Sequence, residues 1–339
     1  MAAGTASTLE ARLIAYLGSR VGRPVTVDRL VRIAGGVSRE TWAFDLLGGE
    51  EGGARRQPLV LRMDTARPFI ESDHAAEAEL IRLAGRHGVP VPRVLWHETD
   101  PAPLGAGFLI MERVPGESLV SRLHRDERFA HAREALPAQM AQALAAIHRI
   151  TPRADLRDAT RLRRLPQRQA VAHQEETYRR WAVEPHPVVE LGLRWLHAHS
   201  PPEAPLALVH GDFRMGNLIF AETGLRAVLD WELAWWGDPL ADVAWVALRS
   251  WRGGRDALPV GGLATREAFH AAYEQAGGQL CDPGLLRFWD VFAHVRWAIV
   301  TVMELGGFLA GLPNLELASL GRRTAEIEWD LLHLLEREG

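Results

Sequence analysis

Two carboxylates and one carboxamide stand at a spacing that phosphoryl transfer can use. The stretch Leu208-Val209-His210-Gly211-Asp212-Phe213-Arg214-Met215-Gly216-Asn217 is followed by Val228-Leu229-Asp230-Trp231-Glu232. Asn217 lies five residues after Asp212, and Asp230 thirteen further on, at the end of an apolar run. Moving a phosphoryl group needs little covalent chemistry from a protein; it needs positioning and charge stabilisation. Asp212 would orient the acceptor hydroxyl or take its proton. Asn217 would bind a metal through its amide oxygen without adding charge, and Asp230 would hold a magnesium ion that bridges nucleotide phosphates, since hard oxygen ligands suit that ion. Gly211 and Gly216 permit a tight turn between them. Asp and Asn also cap ordinary turns, but the whole string, with an apolar strand and then Asp-Trp-Glu, sets that reading aside.

These residues need a scaffold, and the composition bounds it. A chain of 339 residues is too long for one simple core and suggests two lobes. A hydrophobic fraction of 47% and a charged fraction of 24% suit a soluble globular protein. A net charge of -4 argues against nucleic acid as a partner. The single cysteine, Cys281, excludes an internal disulfide framework and suits the cytoplasm. No signal peptide is visible at the N-terminus. The apolar stretch 291–309 contains His294, Arg296 and Glu304, which marks a buried helix rather than a membrane span. All 39 basic residues are arginine, with no lysine anywhere.

The apolar periodicity predicts a helix over 8–22 and strands over 30–33, 42–47 and 59–63, with a hairpin loop in the glycine-rich 48–53. A helix over 72–86 turns Leu80, Leu83 and Ala84 inward, and Pro90 and Pro92 open an extended run over 91–96. A strand over 108–111 precedes a short Pro-Gly segment. Beyond it the pattern is mainly helical: one helix through Met140, Leu144 and Ile147, two over 175–182 and 188–199, and others at Ala241, Arg266, Leu285 and Arg323. Two short strands, 207–209 and 225–229, bracket the loop of Asp212 and Asn217. The Arg-rich 151–168 reads as a solvated loop and helix face. The expected architecture is α+β and two-lobed: a strand-rich lobe over 1–111, a hinge at 112–116 and a mainly helical lobe over 117–339.

The string His-Gly-Asp-x4-Asn, then Asp230-Trp231-Glu232 and Gly237-Asp238-Pro239-Leu240-Ala241-Asp242, resembles the aminoglycoside phosphotransferase and choline kinase family, small-molecule relatives of protein kinases. The resemblance runs from about residue 25 to the end. It is closest to the bacterial branch similar to the kinase domain fused to some acyl-CoA dehydrogenases. It implies a two-lobed protein-kinase-like fold with ATP and magnesium between the lobes. Gly35, Gly36 and Ser38 would lie in the nucleotide-covering loop, although Arg39 stands where many relatives carry Asn. Leu59-Val60-Leu61-Arg62 places Arg62 at the position of the phosphate-binding lysine. Its partner would be Glu77, with Glu79 as competitor. Backbone groups near Glu112 and Val114 would hold adenine, with Met111 packed behind it or in the core. Asp238 would cap the next helix, with Pro239 in its first position, and Asp242 would support the loop. His210 would be a scaffold residue.

No Ala-Pro-Glu segment follows Asp230, so the acceptor is expected to be a small-molecule hydroxyl rather than a protein. Two acceptor classes fit, an aminoglycoside-like amino sugar and a hydroxylated acid or its acyl-CoA thioester. The low net charge leans toward the second. A nucleotide-binding module without turnover is the rival reading, since the lysine is missing.

Overall fold

The computed structural model describes residues 2–33, 39–48, 55–65, 73–152, 162–312 and 314–336. By internal contacts the chain divides into two compact units. The first comprises Met1–Arg82 and Pro92–Val114, the second Leu83–Val91 and Pro115–Gly339. A single cut at residue 111 does not describe this division. Leu83–Val91 groups with the second unit, where Pro90 O accepts the N–H of Val228 at 2.8 Å.

The first unit opens with α1 (Ala2–Val21), which ends where Gly22 adopts φ +73° and its N–H returns to Gly18 O. That left-handed terminus suits glycine, which has no Cβ to clash. Five strands follow: β1 (Thr26–Ile33), β2 (Arg39–Gly48), β3 (Arg55–Asp64), β4 (Val94–Glu98) and β5 (Phe108–Glu112). They form one antiparallel sheet in the order β1-β2-β3-β5-β4. Alternate residues of a strand face opposite ways. One face turns Phe44, Leu46, Leu59, Leu61, Met63, Phe108 and Ile110 onto Leu9, Leu13, Tyr16 and Leu17 of α1, which form one buried cluster. The cross-strand pairs Val31↔Ala43, Ala43↔Val60 and Val60↔Met111 put these four apolar residues together on the other face. Arg39, Asp45 and Arg62 share that face, by the same alternation and pairing. Val31 and Ile33 remain 59% and 42% exposed, so part of this apolar face is not covered within the unit. The helix α2 (His74–Arg86) meets it through Glu77 and Arg62.

The second unit is mainly helical: α3 (Val120–Arg125), α4 (Ala130–His148), α5 (Gln167–Trp181), α6 (Pro187–Ala198), α7 (Leu240–Trp245), α8 (Arg266–Gln275), α9 (Pro283–Leu309), α10 (Leu315–Gly321) and α11 (Thr324–Glu336). The helix α9 packs against α5, α6, α7, α10 and α11. It is long and apolar enough to cross a membrane by length and composition. However, 67% of its most apolar window is buried inside the protein, as in a core helix. Two small antiparallel pairs complete the unit: β6 (Ala207–Val209) with β9 (Trp235–Gly237), and β7 (Leu218–Ala221) with β8 (Gly224–Val228). The strands β7 and β9 and the helices α3 and α10 are additions to the expected pattern. The helix α5 also starts earlier than 175, at the end of the stretch expected to be a solvated loop and helix face.

Candidate active site

The loop of Asp212 is held from behind by buried hydrogen bonds. It leaves β6 at His210 and turns at Gly211, whose φ is +85°; a Cβ there would collide with Leu233 O, so only glycine fits. Asp242, on α7, accepts the N–H of His210 at 2.7 Å and of Gly211 at 2.9 Å. His148 of α4 reaches Asp242 Oδ2 at 3.2 Å and the Tyr273 hydroxyl at 2.7 Å. Burial pushes the Asp242 pKa up, but His148 and the loop N–H outweigh it and hold the carboxyl below its usual range. From the other side Arg296 of α9 donates to Gly211 O at 2.5 Å, with its guanidinium 4.5 Å from the Trp245 ring and 5.0 Å from that of Trp235. His210 spends both ring nitrogens on the loop, Nδ1 accepting from Asp212 N at 3.1 Å and Nε2 donating to Leu229 O at 3.0 Å. Full burial lowers its pKa, which keeps the imidazole neutral in that tautomer.

Asp212 collects donors from three directions. Trp245 Nε1 donates to Oδ1 at 2.9 Å, Arg214 Nε lies 3.0 and 3.2 Å from the two carboxylate oxygens, and Asn217 Nδ2 donates to Oδ2 at 2.6 Å. The same Asn217 nitrogen reaches Asp212 O at 2.9 Å. With its nitrogen engaged there, the Asn217 amide offers its oxygen as the group for a cation. Arg214 in turn lies over the Trp251 ring at 4.8 Å. Gly216 has no left-handed φ, contrary to the expected turn role; its bare Cα leaves room for the Arg214 guanidinium, which a Cβ would strike. Arg214, Trp245 and Arg296 were not foreseen. The four residues inside Asp-x4-Asn carry no spacing rule, and the other two arrive from distant helices.

The hairpin of β7 and β8 brings Asp230 beside Asn217, because Leu229 N donates to Asn217 O at 2.8 Å. Asp230 sits at φ +70°, ψ +65°. This left-handed conformation is uncommon outside glycine, is best tolerated by Asn and Asp, and often marks a functional site. Among the described residues no cluster of three or more His, Cys, Asp or Glu could hold a metal alone. One carboxylate and one amide oxygen fit magnesium, which keeps waters and takes further ligands from phosphates. Asp238 accepts Leu240 N at 2.9 Å and Gln167 Nε2 at 3.0 Å. It caps the start of α7, though the helix begins at Leu240, one residue later than a proline in the first position would place it.

In the first unit Glu77 pairs with Arg62, NH1 to Oε1 at 3.3 Å, and also with Arg39 through NH1 and Oε2. Glu79 instead pairs with Arg82 at 2.6 Å on the surface. At the end of β5 the N–H groups of Glu112 and Arg113 bond to Arg93 O and Pro58 O, so Val114 is the first residue beyond these sheet bonds. Met111 is buried in the sheet. Gly35, Gly36 and Ser38 lie outside the described residues.

Glu304 of α9 adds a carboxyl near Asp212. Its Oε2 is buried without a hydrogen-bond partner. Burial first, then repulsion from Glu316 and Asp212, raise its pKa to about 7, with Arg214 working the other way. A raised carboxyl pKa favours folding below the unfolded value near 4.5 and is a cost once pH passes about 7. The full gap corresponds to about 3 kcal/mol at most. Glu304→Gln is therefore expected to raise the melting temperature by roughly 3–6 °C at pH 8 and to change it little at pH 5. Thermal unfolding at both pH values checks this; an equal shift at both would show that Glu304 is not held protonated.

A model of the phosphotransferase enzyme family matches residues 29–280 of the chain. Acyl-CoA dehydrogenase family member 10 of Mus musculus is 34% identical over 252 residues, covering 71% of this chain but 22% of that protein. The chain thus spans about a fifth of that relative's length. A crystal structure from Ralstonia eutropha, provisionally named an aminoglycoside phosphotransferase, superimposes with a TM-score of 0.70 at 24% identity over 95% of this chain and 97% of that one. An aminoglycoside phosphotransferase solved with AMP-PNP and hygromycin B gives 0.59 at 20% identity over 93% and 97%. At these identities the likeness is one of fold, the two-lobed kinase-like fold that the strand and helix pattern suggests.

Proposed function

Because the chain belongs to the phosphotransferase enzyme family, we propose that it moves the γ-phosphoryl group of ATP to a hydroxyl of a small molecule. The observation that carries this reading is the convergence of Asp212, Asn217 and Asp230 on one buried, heavily braced loop. Asp212, aimed by Trp245 and Arg214, orients the acceptor hydroxyl and takes its proton as the bond to phosphorus forms. Asn217 and Asp230 would hold magnesium, which would supply positive charge to offset that of the phosphate oxygens. In the first unit Val31, Ala43, Val60 and Met111 supply an apolar face for a purine. The hinge at Glu112 and Val114 supplies backbone contacts, the glycines Gly35 and Gly36 with Ser38 cover the phosphates, and Arg62, fixed by Glu77, meets them. The first unit is then the nucleotide-binding lobe and the second the catalytic and acceptor lobe, in a cytoplasmic protein.

The acceptor we favour is a hydroxylated carboxylic acid or its acyl-CoA thioester, by the likeness to a part of the acyl-CoA dehydrogenase relatives. A second arm, an aminoglycoside-like amine, is favoured by Glu304, a carboxyl close enough to feel the charges of both Asp212 and Glu316. ATP consumption with magnesium, screened against hydroxy acids, their CoA esters and aminoglycosides, tests this. We expect turnover with one of the first two groups. Turnover with aminoglycosides alone would overturn the favoured acceptor, and tight ATP binding without turnover on any acceptor would favour a nucleotide-binding module.

A further inference from the structure

Glu77 has two arginines where one cation would balance it. Arg39 is the first residue of β2 and pairs across the sheet with Asp64, while Thr41 pairs with Arg62. Residues 39 and 41 face the same way, so both guanidinium groups approach α2 from one side of the sheet. They are held differently. The Arg39 side chain is 2% exposed, bonds Glu77 Oε2 through NH1, and keeps Nε 3.7 Å from Asp64 Oδ1. Asp64 is itself braced by His74 Nε2 at 2.9 Å. The Arg62 side chain is 16% exposed and reaches Glu77 Oε1 at 3.3 Å.

A buried carboxylate must be compensated at all times. Were Arg62 the sole partner of Glu77, turning its charge toward a phosphate would strip Glu77 of its counter-ion, and nucleotide binding would work against that loss. A lysine tolerates such sharing because its ammonium is a compact point charge with freely turning donors; a planar guanidinium commits its fork to one direction. We propose that Arg39 is the permanent counter-ion of Glu77, a positioning residue that frees the Arg62 guanidinium for the nucleotide phosphates. This explains how a lysine-free chain keeps a working cation on β3, and why an arginine stands at the base of the covering loop. The inference rests on the reading of Arg62 as a phosphate contact.

The test measures ATP affinity with magnesium by calorimetry, together with thermal unfolding, for wild type, Arg39→Gln, Glu77→Gln and the double variant. Arg39→Gln should weaken ATP binding about tenfold, because Glu77 then captures Arg62. The double variant should bind ATP more tightly than Arg39→Gln alone and as tightly as Glu77→Gln, since an uncharged amide in place of the Glu77 carboxylate no longer draws Arg62 from the phosphates. Should Arg39→Gln fail to fold, the double variant and Glu77→Gln alone remain comparable, and they should bind ATP equally. Unchanged affinity in Arg39→Gln, or a double variant weaker than Glu77→Gln, would overturn the inference, the latter because Arg39 would then itself contact phosphate. Wild-type protein that binds no ATP would remove the nucleotide reading itself.

Discussion

Asp212→Asn is expected to lower kcat by about a hundred- to ten-thousand-fold while leaving the KM for ATP nearly unchanged. A loss of that size corresponds to about 3–5 kcal/mol of barrier. It follows from what surrounds the side chain. Trp245 Nε1, Arg214 Nε and Asn217 Nδ2 all point hydrogens at the two carboxylate oxygens. They fix the carboxylate in the orientation that an incoming hydroxyl would meet. An asparagine cannot take the proton, and its NH2 group must face one of those donors. Two donors in contact within a buried site leave one unsatisfied, so the variant should also lose about 1–3 kcal/mol of stability. Steady-state kinetics at saturating ATP, with chemical denaturation of the same preparation, separate the two effects. Turnover equal to wild type in a folded Asp212→Asn would remove Asp212 from the reaction.

Asp230→Asn is the second large effect. The substitution keeps the backbone content, because Asn accepts φ +70° as readily as Asp does, and the fold should be retained. What goes is the one carboxylate of the proposed metal pair. A metal that neutralises developing charge on phosphate contributes several kcal/mol, so kcat/KM should fall by about a thousandfold. The magnesium concentration needed for half-maximal rate should rise, because Asn217 alone offers a neutral oxygen. Asp230→Ala should show the same kinetic loss and an added instability of about 1–2 kcal/mol, since alanine resists the left-handed conformation. Titrating magnesium against rate for wild type and both variants measures this. An unaltered magnesium requirement in Asp230→Asn would show that the metal is held elsewhere.

Residues close in sequence were readable before any coordinates were known. His210-Gly211-Asp212 and Asn217 share one turn, and a hairpin with short strands carries the chain to Asp230, so their spacing nearly dictates their meeting. The family resemblance singled out Glu77 over Glu79, and α2 turns Glu77 onto the sheet while Glu79 pairs with Arg82. The strands of the first sheet were legible for the same reason, their alternation being local. The two-residue period was too brief to announce β7 or β9, which run four and three residues. Composition gave the scale of the chain and its arginine habit.

Other features depend on side chains far apart in sequence, and no local pattern encodes them. Trp245 reaches Asp212 across 33 positions, Arg296 reaches Gly211 across 85, and His148 meets Tyr273 across 125. Arg39 looked like a departure from the covering loop; the register of β2 on β3 turns it inward onto Glu77 instead. Spacing in the chain therefore determined which groups we propose for moving a phosphoryl group. Burial and cross-element hydrogen bonds decide how each is aimed, because those depend on neighbours that only folding brings within bonding distance.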